Sequence, residues 1–533
     1  MRNKSVLRKL LLRGMALCLA VSILTFVYPE GTTAQTTTPS TPTKKTTPRY
    51  GGILKRCYDN DAQQLGNPTV RPFDLTSVKL SRPAIETLLR YDEKGLLVPW
   101  LAKDYKVSKD LRSVTLTLQK GVKFHDGSNC DAEAVKWNLE RYRTSDNPEL
   151  KTVASIDVLD DSTIILNLSK WDSTLLGNLA SYAGMMISPT AFKANGGEWC
   201  RTHPVGTGPF KFVSWQRDVR VKYEKFDSYW QKGKPYLDGI EWIIIRDSVS
   251  RLAAFKQGEI DDLANVEPKD VKDLKASGKY YGTICELSAL ASCILGDSAH
   301  PNSPFADIRV RRAIEHAVDK QALADTFTHG LGKISNQYAP PKGWGNNPNV
   351  VGYPYNPDKA KQLLSEAGYA NGFKTKIISP PIAFFADPLT AVQAYLAKVG
   401  IVAELEIVDP PRHTSILRGG WQNALVVHNA PMSEPDTARN LAVNFSSRSF
   451  LKGTLLGPEE YENAVAEALA AGDAETKKKW TWEAQKLLID KYALANFFFM
   501  QPRITFMHNK VHDTGVGVTV DVQWTPEDAW IEQ

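Results

Sequence analysis

Two histidines near the C-terminus have the spacing of a metal site. His508 and His512 are four residues apart, and two imidazoles at this spacing converge on one metal ion when they share a helix face. The residues around them, which include Asn509, Lys510 and Gly515, favour a loop or the end of a strand. In either conformation the rings do not converge, and we expect no metal site here.

Two further segments carry residues that enzymes often use. His125 and Asp126 precede Gly127, and Gly206 and Gly208 precede a proline. The glycine spacing and the missing Lys-Ser/Thr step do not fit a phosphate-binding loop. No nucleophile motif places a Ser/His/Asp or Cys/His arrangement in this sequence. We interpret both segments as turns and expect no catalytic residues and no enzyme activity.

The chain contains six cysteines, and Cys18 lies in a basic and apolar N-terminal leader. Five remain after the leader, and an odd number leaves at least one free thiol. Cys285 and Cys293 are close enough in sequence for a local disulfide, and two buried thiols are the equal alternative. The five cysteines are Cys57, Cys130, Cys200, Cys285 and Cys293.

Residues 1–34 have the organisation of a secretory signal peptide. A basic head precedes an apolar stretch at 15–28, and Thr33 and Ala34 provide small residues for cleavage. The alternative is a retained membrane anchor, although the apolar stretch is shorter than the roughly 20 residues that a spanning helix needs. Residues 35–49 form a Thr/Pro-rich linker that should be extended.

The charge and the length of the chain limit the possible functions. The leader holds five of the basic and one of the acidic residues, so its removal lowers the net charge from +6 to +2 (6 − 5 + 1). This small charge gives no basis for a nucleic-acid-binding surface, which would need a concentrated basic face. With 533 residues, 42% of them hydrophobic, the chain is long enough for two or three globular domains.

Strands alternate with helices along the rest of the chain, which indicates an α/β protein. Arg309, Arg311 and Arg312 open one amphipathic helix, and we expect them to be solvated or ion-paired. The other elements that we expect are a strand at 114–118, a helix capped by Asp131, a strand at 242–245, a helix from Asn356 to Gly368, a helix from Asp387-Pro388 to Gly400, and strands at 404–408 and 424–427.

Several sequence blocks occur in an order that resembles one known family, the bacterial extracellular solute-binding proteins of family 5. This family supplies the dipeptide-, oligopeptide- and nickel-binding components of ABC transporters. The resemblance extends from about residue 51 to the C-terminus. The blocks are GGIL at 51–54, ETLLRYD at 86–92, PWLAKDY at 99–105, GVKFHDG at 121–127, GTGPFKF at 206–212, PFADIRVRRAI at 304–314 and NPDKAKQLL at 356–364.

The resemblance implies a two-lobed α/β fold of the periplasmic-binding-protein type (type II, cluster C), with a hinge between the lobes and an inserted subdomain. Lobe I would contain residues 50–298, with the inserted subdomain at about 91–190, and the C-terminal return at 498–533. Lobe II would contain residues 299–497. The ligand would lie between the lobes, where small-molecule sites commonly form, and the lobes would close on it.

The resemblance also points to residues that would bind the ligand. Two stretches follow strands: one contains Tyr58, Asn60 and Asp61, and the other contains His428, Asn429 and Met432. Aromatic rings and guanidinium groups could stack on a ring of the ligand or meet a carboxylate or phosphate. For this role we select Trp344, Arg418 and Trp421.

One position departs from the pattern of the peptide-binding members. Those members carry an aspartate that pairs with the α-ammonium group of the ligand, and Pro431 stands at that position when the Glu434-Pro435 step is aligned. A buried cation without such a partner is costly. An ordinary peptide ligand is therefore in doubt.

The resemblance predicts an exported, monomeric binding protein that delivers a small solute to an ABC transporter permease, without a cofactor and without nucleic acid. It would be periplasmic, with the N-terminus as a possible membrane tether. One alternative is a receptor for a metal chelate or a haem-like ligand, suggested by Cys57, His428 and Met432. A hydrolase of the cell envelope is a second alternative, favoured only by export and size.

Overall fold

The computed structural model describes residues 47–381, 383–431, 435–517, 524 and 526–532. The predicted signal peptide (1–34) and all of the linker (35–49) except its last three residues lie outside this part of the chain. No helix within the described part has both the length and the apolar character that crossing a bilayer requires.

The strands are named in chain order. They are β1 (Ile53–Tyr58), β2 (Leu89–Tyr91), β3 (Leu97–Pro99), β4 (Ala102–Val107), β5 (Ser113–Leu118), β6 (Val153–Asp160), β7 (Thr163–Leu168), β8 (Phe210–Gln216), β9 (Arg220–Lys225), β10 (Gly239–Ile244), β11 (Asp262–Leu263), β12 (Tyr280–Gly296), β13 (Lys333–Ile334), β14 (Phe373–Ser379), β15 (Ile401–Ile407), β16 (Ala424–Pro431), β17 (Asn496–His508), β18 (Val511–His512) and β19 (Trp530–Ile531).

The α-helices are α1 (Leu75–Ser81), α2 (Ala132–Thr144), α3 (Thr174–Leu179), α4 (Pro189–Thr202), α5 (Ser248–Gln257), α6 (Val271–Ala276), α7 (Ile308–Ala317), α8 (Lys320–Thr328), α9 (Pro357–Glu366), α10 (Ala383–Lys398), α11 (Pro410–Gly419), α12 (Thr437–Phe445), α13 (Glu459–Ala470) and α14 (Ala474–Lys486). Short 3-10 turns occupy Tyr182–Gly184, Pro268–Asp270 and Pro304–Ala306, and a π-turn at Leu487–Lys491 follows α14.

One large mixed sheet lies at the centre of the fold. Its strand order is β15-β14-β16-β12-β17-β11-β1-β10-β9-β8, and β13 pairs with β17 outside this path. Strands β14, β15 and β16 run parallel to one another on one side, and β11, β1 and β10 do so on the other. Antiparallel β12 and β17 lie between these two groups and belong to both. The alternation of strands and helices confirms the predicted α/β class.

The pairing of β12 with β17 changes register where the two groups of strands meet. The register shifts between Cys285 and Ala289 and again between Ala291 and Cys293. Such irregularities interrupt the ladder of hydrogen bonds and let a pair of strands bend. Both strands therefore cross from one group to the other through a locally irregular segment.

A separate antiparallel sheet, β4-β5-β7-β6, packs on α2. The predicted strand at 114–118 is confirmed as part of β5, whose inward positions Val114, Leu116 and Leu118 are buried. Asp131 caps α2, as predicted, by accepting a hydrogen bond from the Ala134 backbone N–H at 3.0 Å. This sheet belongs to the segment for which we predicted an inserted subdomain.

Glu86 joins this small sheet to the main sheet. Its carboxylate is fully buried. It accepts hydrogen bonds from Trp100 Nε1 (2.9 Å), Thr207 Oγ1 (2.9 Å), Tyr229 OH (2.7 Å) and Trp230 Nε1 (3.1 Å). Three of the family-like blocks, at 86–92, 99–105 and 206–212, therefore meet at one carboxylate.

The structure corrects two local expectations. The helix expected to begin at Asp387-Pro388 begins at Ala383, with Pro388 inside it. Arg311 is buried, and its guanidinium donates to the carbonyls of Phe305 and Ala306 instead of facing solvent or an acid.

The cysteines are free thiols. Cys285 and Cys293 both lie on extended β12, which holds them too far apart for a disulfide. All five cysteines after the leader are buried. Of the two alternatives left open by the sequence, the structure has the buried thiols.

Candidate ligand-binding site

His428 lies near the carboxyl end of β16, beside β12, and it is buried. Its Nε2 is 3.0 Å from Asn444 Oδ1. Because Asn444 Nδ2 donates to the Asn440 carbonyl at 2.8 Å, the Asn444 oxygen must be the acceptor, and His428 Nε2 carries the hydrogen. His428 Nδ1 is then an acceptor, and it is buried without a partner in the described part of the chain.

The surroundings of His428 keep its ring neutral. Phe445 and Phe450 meet the imidazole edge-on, with centroids 5.9 and 6.1 Å away. Burial lowers the pKa of His428 to about 4. At neutral pH this side chain therefore offers a fixed, uncharged hydrogen-bond acceptor, with no positive charge for an anionic ligand.

The residues after His428 are only partly described. Asn429 occupies the next position of β16, opposite Ser292, and Pro431 ends the strand opposite Leu290. The predicted ligand residue Met432 and the alignment marker Glu434 lie outside the described residues.

The next acidic side chain, Asp436, already has two structural partners. Its Oδ1 caps α12 by accepting from the Arg439 backbone N–H at 3.2 Å, and its Oδ2 accepts from Lys477 Nζ at 2.6 Å. Both members of this ion pair are largely buried. The cap could have been predicted from the Asp-Thr step before an apolar helix, but a partner 41 residues later in the chain could not.

Trp344 is the predicted residue that lies beside this ion pair. Lys477 Nζ is 6.0 Å from the centroid of its indole ring. On the other side, a Cβ placed on Gly177 would be 4.0 Å from Asp436 Oδ2 and 2.6 Å from Tyr91 OH. Helix α3 and the start of α12 therefore approach each other here, and Gly177 leaves the room for that approach.

The stretch after β1 contains three of the predicted ligand residues, and their side chains have partners within the protein. Asp61 accepts from the Ala62 N–H, the Asp218 N–H and Trp215 Nε1, at 2.8 to 3.0 Å, so both of its oxygens hold the β8–β9 hairpin. Asn60 is exposed and donates to Asp59. Tyr58 accepts from Lys79 Nζ at 3.1 Å through its hydroxyl.

The last two predicted residues, Trp421 and Arg418, have different surroundings from those of His428. Trp421 is buried in the core beneath β16 and donates to the Ala424 carbonyl at 3.1 Å. Arg418 is exposed in the last turn of α11. Of the predicted side chains that the structure describes, Trp344 thus lies beside the Asp436–Lys477 pair, and His428 is buried beside α12.

A cavity of about 730 Å³ lies elsewhere, between the β2–β3 hairpin and the C-terminal segment. None of the nine predicted ligand residues lines it. Aromatic and acidic side chains provide much of its wall, among them Tyr91, Tyr236, Tyr281, Trp524, Asp92 and Asp513. Segment 518–523, which neighbours this wall in sequence, is outside the described residues.

The described part of the chain contains no cluster of three or more potential metal ligands. His508 and His512 end β17 and β18 instead of sharing a helix, so the predicted lack of convergence holds for them. His512 stacks on Trp530 with a centroid distance of 4.1 Å. The chemistry on offer near His428 is hydrogen bonding and aromatic packing.

Comparison with known proteins identifies the family. The family model described as bacterial extracellular solute-binding proteins, family 5 Middle, matches residues 97–448. The glutathione-binding protein GsiB of Pectobacterium atrosepticum is 31% identical over 479 residues, covering 86% of this chain and 90% of that protein. GsiB of Salmonella typhimurium is 30% identical over 439 residues, covering 79% and 84%.

Solved structures show the same fold. NikA from Brucella suis in complex with Fe(III)-EDTA superposes with a TM-score of 0.79 at 23% identity, over 89% of this chain and all of that one. The periplasmic binding protein DppA from Helicobacter pylori in complex with the peptide STSA superposes with a TM-score of 0.75 at 23% identity, over 91% and 99%. The predicted two-lobed fold is thereby confirmed, and the chain belongs to family 5 of the bacterial extracellular solute-binding proteins.

Proposed function

We propose that this solute-binding protein captures a small peptide-like solute between its lobes and delivers it to the permease of an ABC transporter. The observation that carries the proposal is the match to the family over most of the chain together with relatives that bind glutathione by name. The lobes of the proposal are residues 50–298 with 498–533, and residues 299–497. We place the ligand beside His428, Asn429, Met432 and Trp344.

The ion pairs at the approach of the two proposed lobes favour a ligand with no net positive charge. Asp436 is paired with Lys477 at 2.6 Å, and Asp172 is paired with Arg448 at 3.0 Å. The described carboxylates at this approach are thus already neutralised, and Pro431 supplies none. A cationic ligand would lose water without gaining an unpaired carboxylate. Glutathione carries two carboxylates and one ammonium group, so it has no net positive charge and meets this condition.

Binding measurements test the ligand class directly. Native mass spectrometry of the purified protein detects a co-purified solute, and calorimetry then compares glutathione, a free dipeptide such as Ala-Leu and its amidated, cationic form. We expect glutathione to bind at least tenfold more tightly than the cationic dipeptide amide. Tighter binding of the amide would contradict the proposed ligand class.

A pair of histidine variants tests the position of the site. His428→Phe keeps an aromatic ring but removes the Nδ1 acceptor, and we expect a loss of about tenfold in glutathione affinity. His125→Phe is the matched control, because His125 also has a buried, unpartnered Nδ1 but lies far along the chain, bonded to the Gly208 carbonyl. Equal losses in both variants would count against His428 as a ligand residue.

The structure gives no support to a metal chelate as the ligand. One of the three residues that suggested it, Cys57, is a buried thiol whose pKa is raised to about 12 by burial. A thiol binds metal as the thiolate, which this environment disfavours. We therefore keep the peptide-like solute.

We further propose that the protein is exported through residues 1–34 and acts as a monomer without catalytic activity. The linker at 35–49 would separate the folded part from the membrane if the leader is retained. Cell fractionation followed by N-terminal sequencing of the mature protein tests this. A start near residue 35 indicates a cleaved leader, and an intact N-terminus in the membrane fraction indicates the tether.

A further inference from the structure

Segment 171–173, in the loop between β7 and α3, contacts the end of α13, almost 300 residues later in the chain. The Ser173 backbone N–H donates to the Leu469 carbonyl at 2.8 Å. Ser173 Oγ donates to the Ala468 carbonyl at 3.3 Å. Trp171 Nε1 donates to the Ala471 carbonyl at 2.9 Å. In the proposed division, the two sides of this contact belong to different lobes.

These acceptors are groups that a helix cannot satisfy by itself. The last four carbonyls of an α-helix have no partner within the helix. For α13, which ends at Ala470 with Ala471 as its C-cap, these are the carbonyls of residues 468–471. Three of the four accept hydrogen bonds from segment 171–173. The segment thus acts as a C-terminal cap for a helix of the opposite lobe.

An ion pair and an apolar contact flank the cap. Arg448 Nη1 is 3.0 Å from Asp172 Oδ2, and the arginine side chain is about half exposed. Asp172 Oδ1 meanwhile accepts from the Thr174 N–H and hydroxyl, which fixes the carboxylate at the start of α3. Next to Ala471, a Cβ placed on Gly472 would be 3.1 Å from Leu111 Cδ2.

We propose that these groups form a clasp that holds the two lobes together and sets how readily they separate. The clasp consists of Trp171, Asp172 and Ser173 on lobe I and of Arg448 with the carbonyls of Ala468, Leu469 and Ala471 on lobe II. It rests on the proposed function in one respect, that the lobes move relative to each other. It touches none of the residues that we assign to the ligand.

A clasp of this kind changes ligand affinity without contacting ligand. When only the closed arrangement binds tightly, the apparent dissociation constant is the intrinsic one divided by the closed fraction. Weakening the clasp lowers that fraction and speeds lobe opening. The clasp is partly exposed and consists of single hydrogen bonds and one ion pair, so water replaces it at small cost when the lobes part.

Hydrogen exchange of the ligand-free, full mature chain tests the clasp without any ligand. The Ser173 amide reports lobe separation because its acceptor, the Leu469 carbonyl, is on the other lobe. Two variants weaken the clasp independently: Trp171→Phe removes one donor and keeps the ring, and Arg448→Ala removes the cation and leaves Asp172 to cap α3. Arg412→Ala is the matched control, because it breaks an exposed ion pair with Glu406 inside lobe II.

We expect exchange at the Ser173 amide to become about twofold to tenfold faster in Trp171→Phe, the range for losing one hydrogen bond. In Arg448→Ala we expect it to become about twofold to fivefold faster, the range for losing one partly exposed ion pair. Arg412→Ala should match the wild type, and amides of the β4–β7 sheet should be unchanged in every variant, which shows that the chain remains folded. Wild-type exchange at Ser173 in both Trp171→Phe and Arg448→Ala would overturn the clasp. Because no ligand is added, this outcome is independent of whether the proposed solute binds.

Discussion

Glu86 and His428 are both buried polar side chains, and they differ in how completely their hydrogen-bonding atoms are matched. Each oxygen of Glu86 accepts at least two hydrogen bonds, from Trp100, Thr207, Tyr229 and Trp230. His428 has one matched nitrogen and one unmatched one, next to a loop that carries the predicted ligand residues. The first arrangement is complete in itself, and the second leaves one buried nitrogen without a partner in the described part of the chain.

The comparison separates residues that identify the family from residues that would select a ligand. The blocks at 86–92, 99–105 and 206–212 carry the resemblance, and the structure uses them to surround Glu86. They build the scaffold. His125, which belongs to that scaffold, also has an unmatched Nδ1, although it lies in a turn and is bonded to the Gly208 carbonyl. An unmatched nitrogen therefore suggests a ligand residue only when its position in the fold does so as well.

The largest effect is expected at Glu86. In Glu86→Gln, an amide NH₂ replaces one oxygen and faces donors, while the buried Arg82 loses the nearby carboxylate charge. We expect the free energy of unfolding to fall by about 3–5 kcal/mol, measured by urea denaturation. Glu93→Gln, exposed on the β2–β3 hairpin, is the control and should change it by less than about 0.5 kcal/mol. A similar small change for Glu86→Gln would show that the network is not needed for stability.

The next effect depends on pH and concerns His428. Its pKa is lowered to about 4 from 6.5, so the unfolded chain binds the proton more readily between these values. Stability from the neutral ring is complete above pH 6.5 and is lost as the pH falls towards 4, by up to about 3 kcal/mol. The difference in unfolding free energy between wild type and His428→Phe should shrink by this amount from pH 7 to pH 4.

Taking the difference between the two proteins is necessary because other groups titrate in the same range. His125 also has its pKa lowered to about 4 by burial, and burial raises the pKa of Glu86 to about 7, which acts in the opposite direction. Both are present in wild type and in His428→Phe. If the difference stays constant with pH, the pKa of His428 is not lowered in the folded state.

A third effect concerns the charge of the ligand. Lys477→Met leaves the Asp436 carboxylate without its cation, beside Trp344 and the approach of Gly177. We expect the affinity for a cationic dipeptide amide to rise by about tenfold, because an unpaired carboxylate then awaits the ammonium group. Lys491→Met breaks an exposed pair with Glu460 and serves as the control in the same calorimetric titration. No gain for Lys477→Met would place Asp436 outside the ligand site.

The sequence predicted elements whose signals are local. The alternation in β5 and the cap Asp131 of α2 were both identified from neighbouring residues. The predicted start of α10 was wrong because the Asp387-Pro388 step resembles a helix start, although the helix begins four to five residues earlier. The prediction that Arg311 is solvated or ion-paired was wrong. Its carbonyl partners at Phe305, Ala306 and Tyr492 arise from the fold and have no sequence pattern.

The candidate site was harder to predict for the same reason. Side chains after a strand can be listed from sequence, but whether Asp61 faces a ligand or the β8–β9 hairpin depends on Trp215 and Asp218, more than 150 residues away. Likewise, Trp421 is a core residue because β16 covers it. Long-range packing decides such cases, and no local pattern reports it.

The smallest effect is expected beside the clasp, where Gly472 faces Leu111. The Leu side chain in Gly472→Leu would occupy space that Leu111 now fills, since even a Cβ would be 3.1 Å from Leu111 Cδ2. We expect the variant to wedge the lobes slightly apart, which raises the radius of gyration measured by X-ray scattering and weakens solute binding by a few-fold, about 1 kcal/mol or less. The double variant Gly472→Leu with Leu111→Ala restores the space and should return both quantities towards wild type. If Gly472→Leu alone leaves both unchanged, Leu111 yields by rotation and this contact does not hold the lobes, whereas the hydrogen bonds of segment 171–173 are tested separately by exchange at Ser173.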